Sequence, residues 1–168
     1  MNLRSRTATA AGSLLHNRRA VRAPIWIYRA RLGVVFGRRL LMLEHIGRKT
    51  GARRYVVLEV IDHPAPHRYI VASGFGYRAQ WLRNIQHDPH VRVVIGSHRP
   101  RPAAATVLDQ RQVGPILHRY ADQHPRAWRQ LKPVFENLIG SPITEDNSNL
   151  PLVQLVLEPT AAPRNERS

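Results

Sequence analysis

The chain has 168 residues, of which 43% are hydrophobic, and its formal net charge is +15. This length and composition predict one compact, soluble domain with a core of its own. The absence of cysteine excludes disulfides, a thiolate zinc site and a cysteine nucleophile. Because the sequence also shows neither an apolar run of membrane-spanning length nor a secretory signal, we expect a cytoplasmic protein.

The positive charge is concentrated in the first third of the chain. Residues 1–54 hold 13 of the 26 basic residues and a single acidic residue, Glu44. Such a field attracts polyanions, and three classes of partner stay open at this point: nucleic acid, an anionic membrane surface and a polyanionic small ligand. Nucleic acid is the least favoured, because the sequence contains no zinc finger, RNP-type aromatic pattern or recognition helix.

The first 37 residues divide into two segments ahead of the first predicted strand. Residues 1–12 are small, polar and basic, which predicts a disordered basic arm. Residues 13–37 interleave arginines with apolar side chains such as Ile25, Trp26 and Tyr28, which predicts a basic amphipathic helical segment. Such helices suit packing against the domain, which we favour, or peripheral attachment to an anionic membrane.

Residues 38–158 are predicted to form one strand-rich domain, and residues 159–168 a polar tail. Apolar runs and β-branched stretches predict the elements in order. They are strands near 40–46, 55–62 and 68–73, a helix at 79–87, strands at 91–96 and 103–108, helices at 110–121 and 125–138, and a strand at 150–158. Short connections favour antiparallel neighbours, so the predicted fold class is α+β, mainly β, a small barrel or curved sheet flanked by helices.

A basic turn follows the first predicted strand. Two glycines bracket its basic segment and another guanidinium follows: Gly47, Arg48, Lys49, Thr50, Gly51 and Arg54. Glycine allows a ligand to approach the backbone closely, while consecutive amides and cationic side chains bind phosphate or carboxylate. These residue types alone are equally typical of an anion-binding turn and of a hairpin turn whose charges face water.

Other motifs of known chemistry are incomplete or absent. The string RKTG is not a nucleotide P-loop, because Leu43 and Arg48 stand where that motif requires glycine. The common signatures of dinucleotide-binding proteins, serine hydrolases and zinc proteases do not occur. His63 and His67 are four residues apart, but the prolines between them exclude the helix that would pair their rings, so no metal site is predicted.

Two separated segments match one pattern together. The first, at 43–54, reads L-x-x-x-G-R-K-[ST]-G-x-x-R, and the second comprises VASG at 71–74, WLRN at 81–84 and DPxV at 88–91. With this order and spacing, residues 38–158 resemble the deazaflavin-dependent nitroreductase and F420H2-dependent quinone reductase family of actinobacteria. The resemblance implies a split β-barrel related to FMN-binding oxidases. It also implies coenzyme F420, a hydride carrier with a phosphate and an oligoglutamate tail, with FMN as the alternative.

The resemblance also implies a role for each matched position. The turn would bind the phosphate and tail of the cofactor, the strand end would approach the deazaflavin ring, and the short helix would complete the cleft. The cofactor-binding residues implied in this way are Arg48, Lys49, Thr50, Arg54, Leu58, Ala72, Ser73, Gly74, Gln80, Trp81 and Asn84. Ser73 is also the candidate catalytic residue, as a donor of a proton or hydrogen bond to the developing anion. Its alternative role is to cap the end of the strand.

By resemblance, the protein is an enzyme that transfers a hydride from the reduced deazaflavin to a conjugated acceptor, such as a quinone, an enone or a nitro compound. A non-catalytic cofactor or lipid carrier of the same fold and a basic nucleic-acid-binding protein stay open as alternatives, and so does a homodimer. The acceptor itself is not implied. Trp128 and Gln130 stand where relatives carry substrate-side tyrosines, and the loop at 74–77 is shorter than in relatives and contains no lysine.

Overall fold

A computed structural model describes residues 40–96, 98–144 and 149–159. The strands are Leu40–Ile46 (β1), Arg53–Ala65 (β2), Arg68–Ala72 (β3), His90–Ile95 (β4), Arg101–Val107 (β5) and Leu152–Leu157 (β6). The helices of the described residues are Gln80–His87 (α1), Gln110–Gln123 (α2) and Pro125–Ile139 (α3), with a 3-10 helix at Gly76–Arg78. The six strands close into one antiparallel barrel in the order β1-β2-β3-β6-β5-β4.

The predicted barrel and the predicted order of elements are confirmed for the described residues. The arm at 1–12, the helical segment at 13–37 and all of the tail beyond Pro159 lie outside them. One predicted boundary is wrong. The sequence predicts that the second strand ends at residue 62, whereas β2 continues through Pro64 to Ala65 and only residues 66 and 67 form the turn. Register shifts in the pairing of β2 with β3 between Val60 and Ala65 explain this, because irregular pairing tolerates a proline that cannot donate a ladder hydrogen bond.

Alternating side chains along the strands separate two large cores, and a small third cluster contains Met42 and Val94. One face of β1 and β3, which includes Leu41, Leu43 and Val71, fills the barrel interior. The opposite face of β3, with Ile70 and Ala72, packs against α2 and α3 outside the barrel. This is the two-residue period of a strand with both faces buried. A capping box formed by Asp109 and Gln112 begins α2.

The strand directions bring the predicted site elements to one end of the barrel. Ile46 at the end of β1 pairs with Arg53 at the start of β2, and Ala72 at the end of β3 pairs with Leu152 at the start of β6. His90 begins β4 at the same end, directly after α1, which contacts β1 and β5. The β1–β2 turn, the loop after β3 and α1 therefore lie together, whereas the β4–β5 connection lies at the opposite end.

Among the helices that the structure describes, none combines the length and the apolar character needed to cross a membrane.

Candidate functional site

The turn between β1 and β2 is closed by its own backbone. The Gly47 N–H donates to the Ala52 carbonyl at 2.9 Å, and the Gly47 carbonyl accepts the N–H groups of Thr50 and Gly51 at 3.1 and 2.8 Å. Gly51 has φ of 66°, in the left-handed region that favours glycine. A Cβ atom on Gly47 would lie 2.9 Å from Arg54 Nε, so the missing side chain allows the Arg54 guanidinium to lie against the turn.

Arg48 is held in place by α1. Its backbone N–H donates to Asn84 Oδ1 at 3.2 Å, and its Nη1 donates to the same oxygen at 2.9 Å and to Gln80 Oε1 at 3.0 Å. Gln80 and Asn84 are four residues apart, so they share one face of the helix. Both acceptors are neutral amides, which orient the guanidinium without offsetting its charge. Three of the residues predicted from the sequence thus form one connected unit.

His45 extends this unit into the protein. Asn84 Nδ2 lies 3.2 Å from His45 Nδ1, and the two residues are only 3% and 4% exposed. Burial lowers the pKa of His45 to about 4, assisted by the charge of Arg54 and opposed by a backbone hydrogen bond at Ile46. The ring is therefore neutral at physiological pH, and in the tautomer with its proton on Nε2 the Nδ1 atom accepts a hydrogen bond from Asn84 Nδ2.

The sequence reasoning did not identify His45. The strand period was the available signal, because residues 41, 43 and 45 share the inward face of β1.

Two further cations extend the positive surface of the turn. Lys49 and Arg54 are exposed, and among the residues that the structure describes neither forms an ion pair with a carboxylate. Arg53, in contrast, has its Nε 3.6 Å from Glu44 Oε1. Thr50 contributes its hydroxyl oxygen, which accepts the Ala52 N–H at 3.4 Å. A set of uncompensated cations on a closed turn fits the phosphate and carboxylate groups of an anionic cofactor.

The end of β3 is built for packing within the protein. Ser73 is fully buried; its N–H donates to the Pro151 carbonyl and its hydroxyl donates to the Gly76 carbonyl, both at 2.9 Å. This is the capping role that the sequence analysis gave as the alternative. For the predicted catalytic role, the hydrogen bond from the Ser73 hydroxyl to the Gly76 carbonyl would have to break. A Cβ atom on Gly74 would lie 3.1 Å from the Phe135 ring, so this glycine permits close packing of α3.

The remaining predicted residues divide between the two cores. Leu58 and Trp81 are buried together in the barrel interior. Ala72 points to the opposite side of the sheet, toward α2 and α3. The structure therefore does not bring the side chain of Ala72 to the same face as Leu58 and Trp81, and the cofactor contacts of all three stay predictions.

The loop after β3 exposes two aromatic side chains that the sequence reasoning did not single out. Phe75 is 40% exposed and Tyr77 is 45% exposed. Arg83 Nε donates to the Tyr77 carbonyl at 3.2 Å, and Gln110 Nε2 donates to the Tyr77 hydroxyl at 3.3 Å. Large aromatic side chains that are exposed on a fixed loop beside a candidate site are typical of a contact surface for a ligand.

A cavity of about 280 Å³ lies elsewhere, between α2 and α3. Its lining includes Leu117, Trp128 and Ile143, with His118 and Lys132 at its polar side. None of the lining residues belongs to the β1–β2 turn, the end of β3 or α1. The cavity is therefore distinct from the cluster of residues around Arg48.

Comparisons with known proteins bear on the family and on the fold. The sequence model of the family described as F420H(2)-dependent quinone reductase matches residues 20–132. No curated protein matches the chain significantly. Among solved structures, a protein related to general stress protein 26, of the pyridoxinephosphate oxidase family, from Clostridium acetobutylicum is 8% identical, with a TM-score of 0.51 over 79% of this chain and 84% of that one. A structure of an F420-H2 dependent reductase, FDR-A, is 17% identical, with a TM-score of 0.49 over 71% of this chain and 95% of that one.

The family match covers more than half of the chain and includes the β1–β2 turn, the end of β3 and α1. It confirms the resemblance found in the sequence, and the likeness to the Clostridium acetobutylicum protein agrees with the barrel fold. F420, rather than FMN, is the cofactor that the family uses. The chain therefore belongs to the F420H2-dependent quinone reductase family and is an F420-dependent oxidoreductase.

Proposed function

We propose that the chain reduces a quinone with F420H2, that the β1–β2 turn binds the anionic groups of the cofactor, and that the loop at 74–77 contacts the acceptor. The observation that carries this proposal is that the Arg48 guanidinium is oriented without a carboxylate partner. Its guanidinium is fixed by two neutral amides and keeps its whole charge for a ligand. The family assignment supports a quinone as the acceptor class.

The turn is suited to hold the cofactor with little reorganisation. Arg48, Lys49 and Arg54 would bind its phosphate and carboxylate groups through charge-assisted hydrogen bonds. Because Arg48 already has one orientation, little side-chain entropy is lost when an anion binds. When bound, F420H2 supplies the hydride. The protein orients the cofactor, and the burial of Trp81 of α1 together with Leu58 of β2 fixes the helix on this end of the barrel.

The exposed aromatics suit a planar, conjugated acceptor. Phe75 offers a ring face against which a quinone can stack. The Tyr77 hydroxyl accepts a hydrogen bond from Gln110, so its own proton is directed elsewhere and can be donated to a quinone oxygen. Hydride addition leaves negative charge on that oxygen and one proton must follow, so a hydrogen-bond donor at this position favours the reaction.

The assignment of the turn is tested by removing two of its charges. Arg48→Ala combined with Lys49→Ala is expected to weaken F420 binding at least tenfold, because charge-assisted hydrogen bonds contribute about 1.5–3 kcal/mol each. The measurement is a fluorescence titration of F420 with the purified protein at physiological salt. The matched control is Arg99→Ala combined with Arg126→Ala, which removes two exposed arginines outside the turn and should change affinity less than twofold. Unchanged affinity in the first variant would remove the turn from the cofactor site.

The acceptor class is tested by turnover. Oxidation of F420H2 is followed by absorbance with matched panels of quinones, enones and nitroaromatics. We expect the highest kcat/KM values for quinones. Faster turnover of nitroaromatics or enones would contradict the quinone assignment while leaving the F420 dependence of the enzyme in place.

A further inference from the structure

We propose that His45 and Asn84 are positioning residues that act on the cofactor only through Arg48. In this arrangement the His45 ring fixes the Asn84 amide, and the Asn84 amide fixes the Arg48 guanidinium. The inference rests on the proposed function, because it takes Arg48 to be a ligand of the anionic cofactor. It assigns His45 a role, and it changes the role of Asn84 from a cofactor contact to a support for one.

The Asn84 amide can take only one orientation in this network. Its oxygen accepts two hydrogen bonds from Arg48, whose N–H and guanidinium groups can only donate. Its Nδ2 must therefore face His45, and the 3.2 Å contact is a hydrogen bond only if Nδ1 carries no proton. If the Asn84 amide were reversed, its NH2 group would face two donors of Arg48, the backbone N–H and Nη1, and neither hydrogen bond could form. The acceptor atom of His45 thus fixes the orientation of the Asn84 amide, so that its oxygen faces Arg48.

Because His45 and Asn84 are buried, the orientation of the Asn84 amide depends on His45 and not on water. His45 points inward from β1 and Asn84 points inward from α1, and both are almost inaccessible to water. Water therefore cannot replace either partner, and loss of one leaves a buried polar group unsatisfied. Arg48, in contrast, is partly exposed, so its outer side stays available to a ligand. The buried pair fixes the orientation, and the exposed side of the guanidinium is left to bind.

Burial keeps the His45 ring neutral, and the charges around it act in the same direction. Arg54, the cross-strand partner of His45 on β2, is a cation whose charge lowers the pKa of the ring further. The titratable residues of α1 and β4 are exposed rather than turned toward the ring. Glu44 is the adjacent carboxylate of β1, and it points to the other face of the strand, where it contacts Arg53. Among the described residues, therefore, no carboxylate stabilises an imidazolium at this position.

A thermodynamic cycle separates positioning from direct contact. F420 affinity is measured with the full chain for Arg48→Ala, Asn84→Leu and the double variant. We expect each single variant to weaken binding at least tenfold and the double variant to be no weaker than Arg48→Ala. If Asn84→Leu weakens binding equally with and without Arg48, Asn84 contacts the cofactor directly and the inference is overturned. Gln86→Leu, an exposed substitution on the same helix, is the control and should stay within twofold of the wild type.

Conservative rescue tests the part played by His45. His45→Asn keeps an acceptor close to the position of Nδ1, whereas His45→Leu removes it. We expect affinity within about threefold of the wild type for the first variant and a loss of at least tenfold for the second, with thermal unfolding used to confirm that both are folded. Equal affinity of the two variants would overturn the role of His45.

Failure of this inference is distinguishable from failure of the proposed function. If Arg48→Ala leaves F420 affinity unchanged, the assignment of the turn itself is wrong. If Arg48→Ala weakens binding while Asn84→Leu and His45→Leu do not, only the positioning role is wrong.

Discussion

Arg48 and Arg53 flank the same turn, yet their surroundings give them different chemistry. Arg53 lies beside the Glu44 carboxylate, which offsets its charge. Arg48 contacts the amide oxygens of Gln80 and Asn84, which fix its direction and leave its charge uncompensated. A cation in this state gains more from an incoming phosphate than one that must first leave a carboxylate. The identity of the partner, rather than the presence of an arginine, thus distinguishes Arg48 from Arg53 and supports Arg48 as the proposed anion-binding residue.

Replacing the amide nitrogen of Asn84 with an oxygen atom would neutralise the charge of Arg48. Asn84→Asp replaces an amide with a carboxylate at nearly the same volume, so Arg48 forms an ion pair and the new negative charge repels the ligand. We expect F420 affinity to fall at least tenfold in a fluorescence titration at pH 7.5. Gln86→Glu adds the same charge on the exposed side of α1 and should cost less than threefold. Equal losses in the two variants would indicate a general effect of charge and would contradict the specific pairing.

His45 predicts a pH dependence of stability. Its pKa of about 4 in the folded chain lies below the ordinary value of 6.5, so below pH 6.5 the unfolded chain binds a proton that the folded chain excludes. The free energy of unfolding should therefore fall between pH 6.5 and pH 4, by at most roughly 3 kcal/mol, with no contribution above that window. Urea unfolding of the wild type and of His45→Asn across pH 4–7.5 measures this. The variant should lose less stability on acidification, and an identical pH dependence would contradict burial of a neutral ring.

At the scale of elements, α1 links the barrel interior to the turn. Trp81, Leu82 and Ile85 anchor one face of the helix in the barrel core. Gln80 and Asn84 reach from the neighbouring face to Arg48. The orientation of Arg48 is therefore set by apolar packing as well as by hydrogen bonds, since the helix cannot rotate without exposing its anchors.

The loop between β3 and α1 gives a prediction about the acceptor. Phe75→Ala should raise KM for quinones, because a stacking surface is lost. Tyr77→Phe should lower kcat, because a hydrogen-bond donor is lost, and neither variant should change F420 affinity by more than about twofold. Steady-state kinetics and F420 titration measure these effects. Ser73→Ala is the comparison, and we expect it to reduce stability; a selective loss of kcat in that variant would assign the proton to Ser73.

Most of these elements were predictable because their signals are local. The apolar run of β1, the β-branched run of β2 and the capping residue Asp109 each indicate an element within a few positions. The end of β2 was not predictable, because its irregular pairing depends on a register with β3 that sequence alone does not specify.

The site was predictable to the extent that a motif covers it. The resemblance selected Arg48, Gln80 and Asn84, which the structure brings into contact. It did not select His45, whose partner lies 39 positions away and meets it only when α1 crosses the end of the barrel. It assigned Gly74 to the cofactor, which stays a prediction, and gave no indication that its missing side chain accommodates Phe135. Contacts of this kind depend on which faces meet across the closed barrel, and the local pattern around either residue does not contain that information.

At the scale of the whole molecule, charge and architecture act together. The chain carries a net charge of +15, which draws anionic ligands toward it over about a Debye length, roughly 8 Å at physiological salt. The closed barrel gives every strand two neighbours, so the end that carries the turn is a rigid frame rather than a mobile sheet edge. In the proposed function, long-range attraction brings the anionic cofactor to the protein, and the turn at the barrel end provides the specific contacts.

Closure of the barrel through β1 and β4 also has a consequence for biosynthesis. β1 pairs with β2 on one side and with β4, ending at Ile95, on the other. Gln80 and Asn84, which orient Arg48, also follow it by 32 and 36 residues. A nascent chain that has emerged only as far as the turn therefore carries the basic residues without their geometry. With Arg48 as a ligand of F420, as proposed, the cofactor stabilises the completed barrel, in which Arg48 is held in place, and not its precursors.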